Sequence, residues 1–229
     1  MDFAYMTKAF PKLFYALPLT LGITFAAMIA GMIIGGIFTV CKLSRWRILS
    51  AGVHGFTVVL RGIPTIVLLF LSYFGLPVLF SLFGININNW TKITFAIIAL
   101  TLEVAAVASE LFRSAWLSLD KGQLDAATSI GMNRFQITRR VIVPQGLRVI
   151  VPNIGNLLIG QFQNTSLVYT LGIIDIIGRL NILNSQAYGA KSLELYISAA
   201  ILYWLVCVLF SFCFHFLEQR LNRGIMLVR

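Results

Sequence analysis

The sequence predicts an all-α membrane protein of about five transmembrane helices, N-terminus outside and C-terminus cytoplasmic, on three observations. The first is composition: 59% of the 229 residues are hydrophobic, 11% are charged and the mean hydropathy is +0.88. A soluble domain holds about 45–50% apolar and about 25% charged residues, so cytosolic, secreted and disordered classes drop out together. The second is spacing. No charged residue lies between Lys12 and Lys42, Arg61 and Lys92, Arg148 and Asp175, or Glu194 and Glu218, and each gap exceeds the roughly 20 residues a crossing needs. The third is charge asymmetry. Alternate connections carry 13 Lys and Arg on one side, in 42–61, 113–148 and 220–229, and 5 on the other: Lys8, Lys12, Lys92, Arg179 and Lys191. The richer side is cytoplasmic by the positive-inside rule.

In chain order the spans are about 17–41, 62–83, 93–116, 149–171 and 195–217, within one transmembrane domain, 1–229. The third span is interrupted only by Glu103 and Glu110. Before the first, Phe3, Met6, Phe10, Leu13 and Phe14 share a helical face opposite Lys8 and Lys12. This segment either lies flat in the outer interface or is a start to the first span kinked at Pro11. It lacks the basic n-region of a cleavable signal, so the first span is expected to stay in the mature protein. Cys41, Cys207 and Cys213 have neither disulfide nor metal-ligand spacing and read as packing residues. The net charge of +10 follows from the cytoplasmic arginines, which lack aromatic interleaving, so no nucleic-acid partner is expected.

Carboxylates within an apolar span cost several kcal/mol or so unless partnered. Glu103, Ala106, Glu110 and Arg113 fall on one helical face. Glu110 and Arg113, three residues apart, read as a structural ion pair. Glu103 has no basic neighbour at helical spacing and needs a cavity, a partner helix or a bound cation, so it is the functional candidate. On the fourth span Asn153, Asn156, Gly160, Gln163 and Asn164 form a polar stripe about 100° wide. Such a stripe suits a helix interface or a wet pathway equally. Gly31, Gly35 and Gly36 form a close-packing face on the first span.

The connection from Leu119 to Gly146 is far longer than a turn. Asp120 with Gln123 resembles a capping box; Leu124, Ala127 and Ile130 line one side of a short helix that Gly131 can end in a left-handed conformation. Asn133 with Gln136 repeats the start signal, and the second helix is expected to break at Pro144. Two short capped helices with an apolar edge suit docking on another protein or resting on the membrane surface.

Asp125-Ala126-Ala127, Gly131 and Val141-Ile142-Val143-Pro144 stand in the register Glu-Ala-Ala, three residues, Gly, nine residues, Ile-x-Leu-Pro. In this the sequence resembles the permease subunits of binding-protein-dependent ABC importers; Asp for Glu and Val for Ile and Leu are conservative departures. Arg61-Gly62-Ile63-Pro64, Tyr73-Phe74-Gly75-Leu76-Pro77, Lys121-Gly122-Gln123, Pro144-Gln145-Gly146-Leu147-Arg148 and Gln163-Asn164-Thr165-Ser166-Leu167 are similar to the polar amino acid branch, of histidine, glutamine or cystine type. That branch often has Lys-Asp where Gln163-Asn164 stands.

The resemblance implies a permease in a bacterial plasma (inner) membrane, paired with a second copy or a homologous permease. It further implies ABC ATPase subunits that bind ATP and Mg, and an extracellular solute-binding protein or lipoprotein that delivers an amino acid. The segment from Lys121 to Ile130 would be a cytoplasmic coupling helix between spans 3 and 4, seated in an ATPase groove. Independently, the chain has no GxxxxGK[ST] and no GxGxxG, so no cofactor and no hydrolysis are expected of it. The substrate is expected to be cystine or another uncharged polar amino acid. An ion-coupled secondary transporter or channel would also use Glu103, but such folds usually show internal repeats, and none is found.

Overall fold

Gly62-Ile63-Pro64 turns the chain sharply. Proline disfavours helical backbone in the residue before it, and Ile63 is extended, at φ −94° and ψ 129°. The chain therefore turns: helix α3 (Arg47–Gly62) meets the helical stretch Thr65–Ser81 at 110°. The computed structural model describes residues 2–222. Arg223 and Arg229, which enter the charge count, lie outside the described residues, as does the side chain of Lys121.

Before α3 run α1 (Phe3–Phe14) and α2 (Leu17–Lys42); after it come α4 (Thr65–Phe70), a π turn (Leu71–Gly75) and α5 (Leu76–Ser81). Next are α6 (Lys92–Leu117), α7 (Lys121–Ser129), α8 (Arg134–Ile137), a second π turn (Thr138–Ile142) and α9 (Val143–Asn164). A 3-10 turn (Thr165–Leu171), α10 (Ile176–Gln186) and α11 (Ser192–Asn222) complete the order. Among the described residues four helical stretches are long and apolar enough to cross a membrane, Leu17–Lys42, Lys92–Leu117, Arg134–Leu171 and Ser192–Leu221; counted as one span, the bent pair makes a fifth.

Residues 47–62 form helix α3, and the helical stretch beyond the bend runs from Thr65 to Ser81. One expectation needs correction here. The chain does not break at Pro144, which lies in the first turn of α9 directly after a π turn. A proline cannot donate to the carbonyl four residues back and its ring crowds that carbonyl. The widened turn, in which the Val143 N–H donates to the Thr138 carbonyl, relieves both problems. Pro77 in α5 follows the first π turn in the same way.

α2 and α6 pack at the centre along a seam of small residues. A Cβ built on Gly31 would lie 2.5 Å from Val104 Cβ, and one on Gly35 2.8 Å from Ala108 Cβ; Gly36 faces open space. In lipid such close approach replaces the hydrophobic drive that water supplies elsewhere. Hydroxyls complete the seam: the Thr39 Oγ1 lies 2.8 Å from the Gly35 carbonyl oxygen and 3.0 Å from that of Ser109. The half-buried cysteines Cys41 and Cys207 and the exposed Cys213 are unpaired.

α1 packs on α10 and α11 through Ala9 and Leu13, against Leu180, Leu183, Leu195 and Ala199. Phe3 and Phe14, on the face read as apolar, are exposed. The Asp2 N–H donates to Glu194 Oε1 at 3.0 Å, and Lys191 Nζ donates to Asp2 Oδ2 at 2.8 Å. That bond holds the Asp2 carboxyl below its usual range and raises the lysine.

Asp175 caps α10, its Oδ1 accepting from the Gly178 N–H at 2.8 Å, while the buried Oδ2 has no hydrogen-bond partner among the described residues. Burial pushes this carboxyl up to about 6. The folded state therefore binds the proton more tightly than the unfolded chain, and stability is lost as pH rises from about 4 to about 6. Asp175→Asn keeps the cap and removes the charge. It is expected to raise the apparent melting temperature at pH 7.5, by up to about 3 kcal/mol in free energy, with the difference vanishing near pH 4. An unchanged melting curve at both pH values would refute the assignment.

Candidate functional site

Three elements converge on Glu103. Its helix α6 carries it into the bundle. Pro64 turns the chain so that Thr65 opens α4 facing it, and Asn164 ends α9 beside it. Glu103 Oε1 accepts from Thr65 Oγ1 at 2.8 Å and from Asn164 Nδ2 at 2.9 Å. Its Oε2 is buried and has no hydrogen-bond partner among the described residues. A carboxylate held by two neutral donors with one oxygen uncommitted can accept from a cationic group without first breaking an ion pair.

The rest of the amide stripe does not reach Glu103. Asn153 and Asn156 line a cavity of about 390 Å³ together with Arg61 and Glu110. The Asn153 Nδ2 donates back to the Val149 carbonyl at 2.7 Å. Gly160 has open space where a Cβ would stand. Gln163 is exposed and turns toward α11, its Nε2 3.9 Å from Cys207 Sγ. Next to Asn164 in sequence, it points about 100° away from it. The stripe is thus one helix face whose ends serve different surroundings.

Glu110 accepts from the Arg113 guanidinium, with Nε at 3.0 and 3.1 Å from its two oxygens and Nη2 also donating. A further partner, missed from the sequence, is Lys42: its Nζ lies 3.5 Å from Glu110 Oε2 and donates to Ser109 Oγ at 2.9 Å. The Lys42 side chain is only 3% exposed. Helical spacing within one span finds Arg113; no local signal finds a lysine 68 residues away.

The loop between α6 and α9 contains the two short helices. Asp120 caps α7 by accepting from the Gly122 N–H at 2.8 Å, but Gln123 does not complete a capping box; its Oε1 accepts instead from Gln145 Nε2, tying α7 to α9. Asn133 and Gln136 form the full reciprocal box, with both bonds at 2.9 Å. Gly131 is left-handed, φ +80°. Its N–H donates to the Thr128 carbonyl and that of Met132 to the Ala127 carbonyl, the Schellman pattern. Of the apolar edge, Ala127 is buried within the chain, Leu124 is half-buried and only Ile130 projects, at 78% exposure, with Phe135 at 72%. Gly122, Gln123, Asp125 and Ala126 are exposed. Among the described residues no three His, Cys, Asp or Glu side chains gather as metal ligands would.

Residues 27–223 match the family model described as binding-protein-dependent transport system inner membrane component. The chain is 38% identical over 223 residues to the probable amino-acid permease protein YxeN of Bacillus subtilis (strain 168), covering 97% of each. It is 34% identical to the L-cystine transport system permease protein TcyL of the same organism, over 93% of this chain and 89% of the relative. Among solved structures, a chain of an amino acid ABC transporter crystallised with histidines matches with a TM-score of 0.83 at 31% identity, covering 96% of this chain and 99% of that one.

Proposed function

The chain belongs to the family of binding-protein-dependent transport system inner membrane components, and we propose that within an ABC importer it passes a polar amino acid across the inner membrane by way of Glu103. Membership of that family sets aside the ion-coupled transporter and channel readings. The importer's substrate is cystine or another uncharged polar amino acid, the relative TcyL being a cystine system by name. The observation that carries this reading is the Glu103 carboxylate: Thr65 and Asn164 hold Oε1, and the buried Oε2 is uncommitted. An amino acid's ammonium group is the complement of that oxygen, and the polar faces at Asn153, Asn156 and Gly160 continue the path toward the helical loop. Gln163, turned away, faces a second permease copy or a homologous partner.

ATP and Mg belong to partner ATPase subunits on the face of α7, with Ile130 and Phe135 as its projecting contacts and Ala127, Leu124 and Pro144 shaping the loop behind them. Gly122, Gln123, Asp125 and Ala126 form the exposed side of that helix. An extracellular solute-binding protein or lipoprotein delivers substrate at the opposite face. That orientation, N-terminus outside and C-terminus cytoplasmic, has the support of the positive loops.

The test is uptake of labelled cystine, glutamine and arginine by vesicles containing the permease, its ATPase and its binding protein, in parallel with ATPase activity. Gly131→Val probes the coupling loop. A Cβ there meets nothing within 4 Å, so the variant acts through the backbone alone, where a β-branched residue at positive φ costs about 1–3 kcal/mol. Substrate-stimulated ATPase activity is expected to be lost with membrane insertion intact, and Gly131→Asn, which tolerates this conformation, should restore most of it. Normal stimulation in Gly131→Val would refute the docking role of α7.

A further inference from the structure

The cavity of about 390 Å³ that Asn153 and Asn156 line is built by the elements that also meet at Glu103. On α6, Val107 lines it one turn after Glu103 and Glu110 lines it a turn further on, all three on one helical face. On α9, Leu157, Asn156 and Asn153 line it two to three turns before Asn164, the residue that bonds Glu103. At the bend, Arg61 stands four residues before Thr65, which bonds Glu103 from the other side. The cavity therefore continues from Glu103 toward the α7 loop along the same walls.

Its charges are not equally free. Among the described residues that line it, Arg61 is the one cation and Glu110 the one anion. Glu110 is held by Arg113 and Lys42, whereas Arg61 is exposed and makes no salt bridge among the described residues. At Glu103 the balance is reversed, since Thr65 and Asn164 are neutral and the carboxylate there seeks a cation. An amino acid that gives its ammonium group to Glu103 brings a carboxylate with it, and Arg61 is the cation next along the walls. Seven residues of helix put Glu110 about 10 Å beyond Glu103, more than separates the two charged groups on one α-carbon. The two places are thus successive stops for one molecule.

We propose that Arg61 receives the α-carboxylate of the substrate as it leaves Glu103, the guanidinium donating two parallel hydrogen bonds with the Asn156 amide alongside. This assignment takes its direction of travel from the Glu103 reading and adds the residue that reads the other charge of a zwitterion. Arg61 also sits in the last turn of α3, where any cation offsets the helix dipole. A lysine would do that equally well but lacks the two-pronged fork.

The test is saturation-transfer NMR on the importer complex in detergent, without its binding protein and carrying Glu103→Gln, so that binding at residue 103 is weakened. Glutamine and glutamine methyl ester are the probes, because Arg61 is assigned to the carboxylate that every amino acid carries on its α-carbon. The free acid is expected to bind about 10-fold more tightly than the ester. Adding Arg61→Gln should remove that preference, and adding Arg61→Lys should leave about a third of it. Melting temperatures should stay the same in both, since the position is exposed and unpaired by any carboxylate among the described residues. Equal binding of acid and ester with Arg61 in place, or a preference that survives Arg61→Gln, would overturn the assignment. So would a full preference in Arg61→Lys, which would reduce Arg61 to a helix-end charge. Wild-type uptake by Glu103→Gln alone would count against Glu103 and leave the acid and ester comparison standing, so the two readings fail separately.

Discussion

Glu103→Gln is expected to lower uptake about 10- to 100-fold while leaving the amount and thermal stability of folded protein nearly unchanged. The size follows from the loss of one charge-assisted hydrogen bond to a cationic group, about 1.5–3 kcal/mol. The sparing of stability follows from geometry. Glutamine's Oε1 can still accept from Thr65 and Asn164, which bond Glu103 at 2.8 and 2.9 Å. Glu110→Gln is the contrast, since it leaves the buried Lys42 and the neighbouring Arg113 with no carboxylate. It should cost about 1–3 kcal/mol of stability and reduce the yield of folded protein. Uptake and melting temperature are measured for both in reconstituted vesicles with all partners present. Wild-type uptake by Glu103→Gln would remove Glu103 from the pathway. Equal stability losses in the two variants would make it a structural carboxylate.

Gly31→Leu should do more damage to the fold than any polar substitution above. The first added atom already lies 2.5 Å from Val104, and the Thr101 carbonyl oxygen is 3.0 Å away, so neither side of the seam can yield without α2 moving off α6. Overpacking of this kind costs about 1–3 kcal/mol where neighbours can adjust, and here backbone is among the obstacles. Little folded protein should survive extraction in mild detergent. Gly36→Leu, five residues on and facing open space, should extract and elute as wild type does. Similar size-exclusion profiles for the two variants would show that the seam is looser than its geometry states.

The parts of this structure that were legible in the sequence are those set by local rules. Gaps between charges located the spans, because a crossing helix has a minimum length and few charges. Gly131 and the Asn133–Gln136 pair were legible because caps need particular side chains at fixed offsets. Illegible were pairings between distant segments: Thr65 and Asn164 on Glu103, and Lys42 on Glu110, are 38, 61 and 68 residues apart. α3 was hidden by Arg47 and Arg61 near its two ends, because a charge at each end of a short segment marks it as a connection between spans. Pro144 misled for another reason. The rule that proline ends a helix assumes the standard turn before it, and the π turn at Thr138–Ile142 suspends that rule. Periodicity grouped Asn153, Asn156, Gly160, Gln163 and Asn164 on one side of α9, but it says nothing about what stands opposite each: Asn164 meets Glu103 and Gln163 meets Cys207.

The contacts of α1 have a consequence for biosynthesis. The second residue of the chain donates its N–H to residue 194, and its carboxylate takes a hydrogen bond from residue 191. Ala9 and Leu13 pack on surfaces supplied by α10 and α11. A ribosome delivers those partners last. These contacts of α1 can therefore form only after α10 and α11 have emerged, long after α1 itself. A chain released before α11 is complete has α1 still undocked. Quality-control proteases that act on undocked segments would thus find α1 exposed in products that stop short of α11.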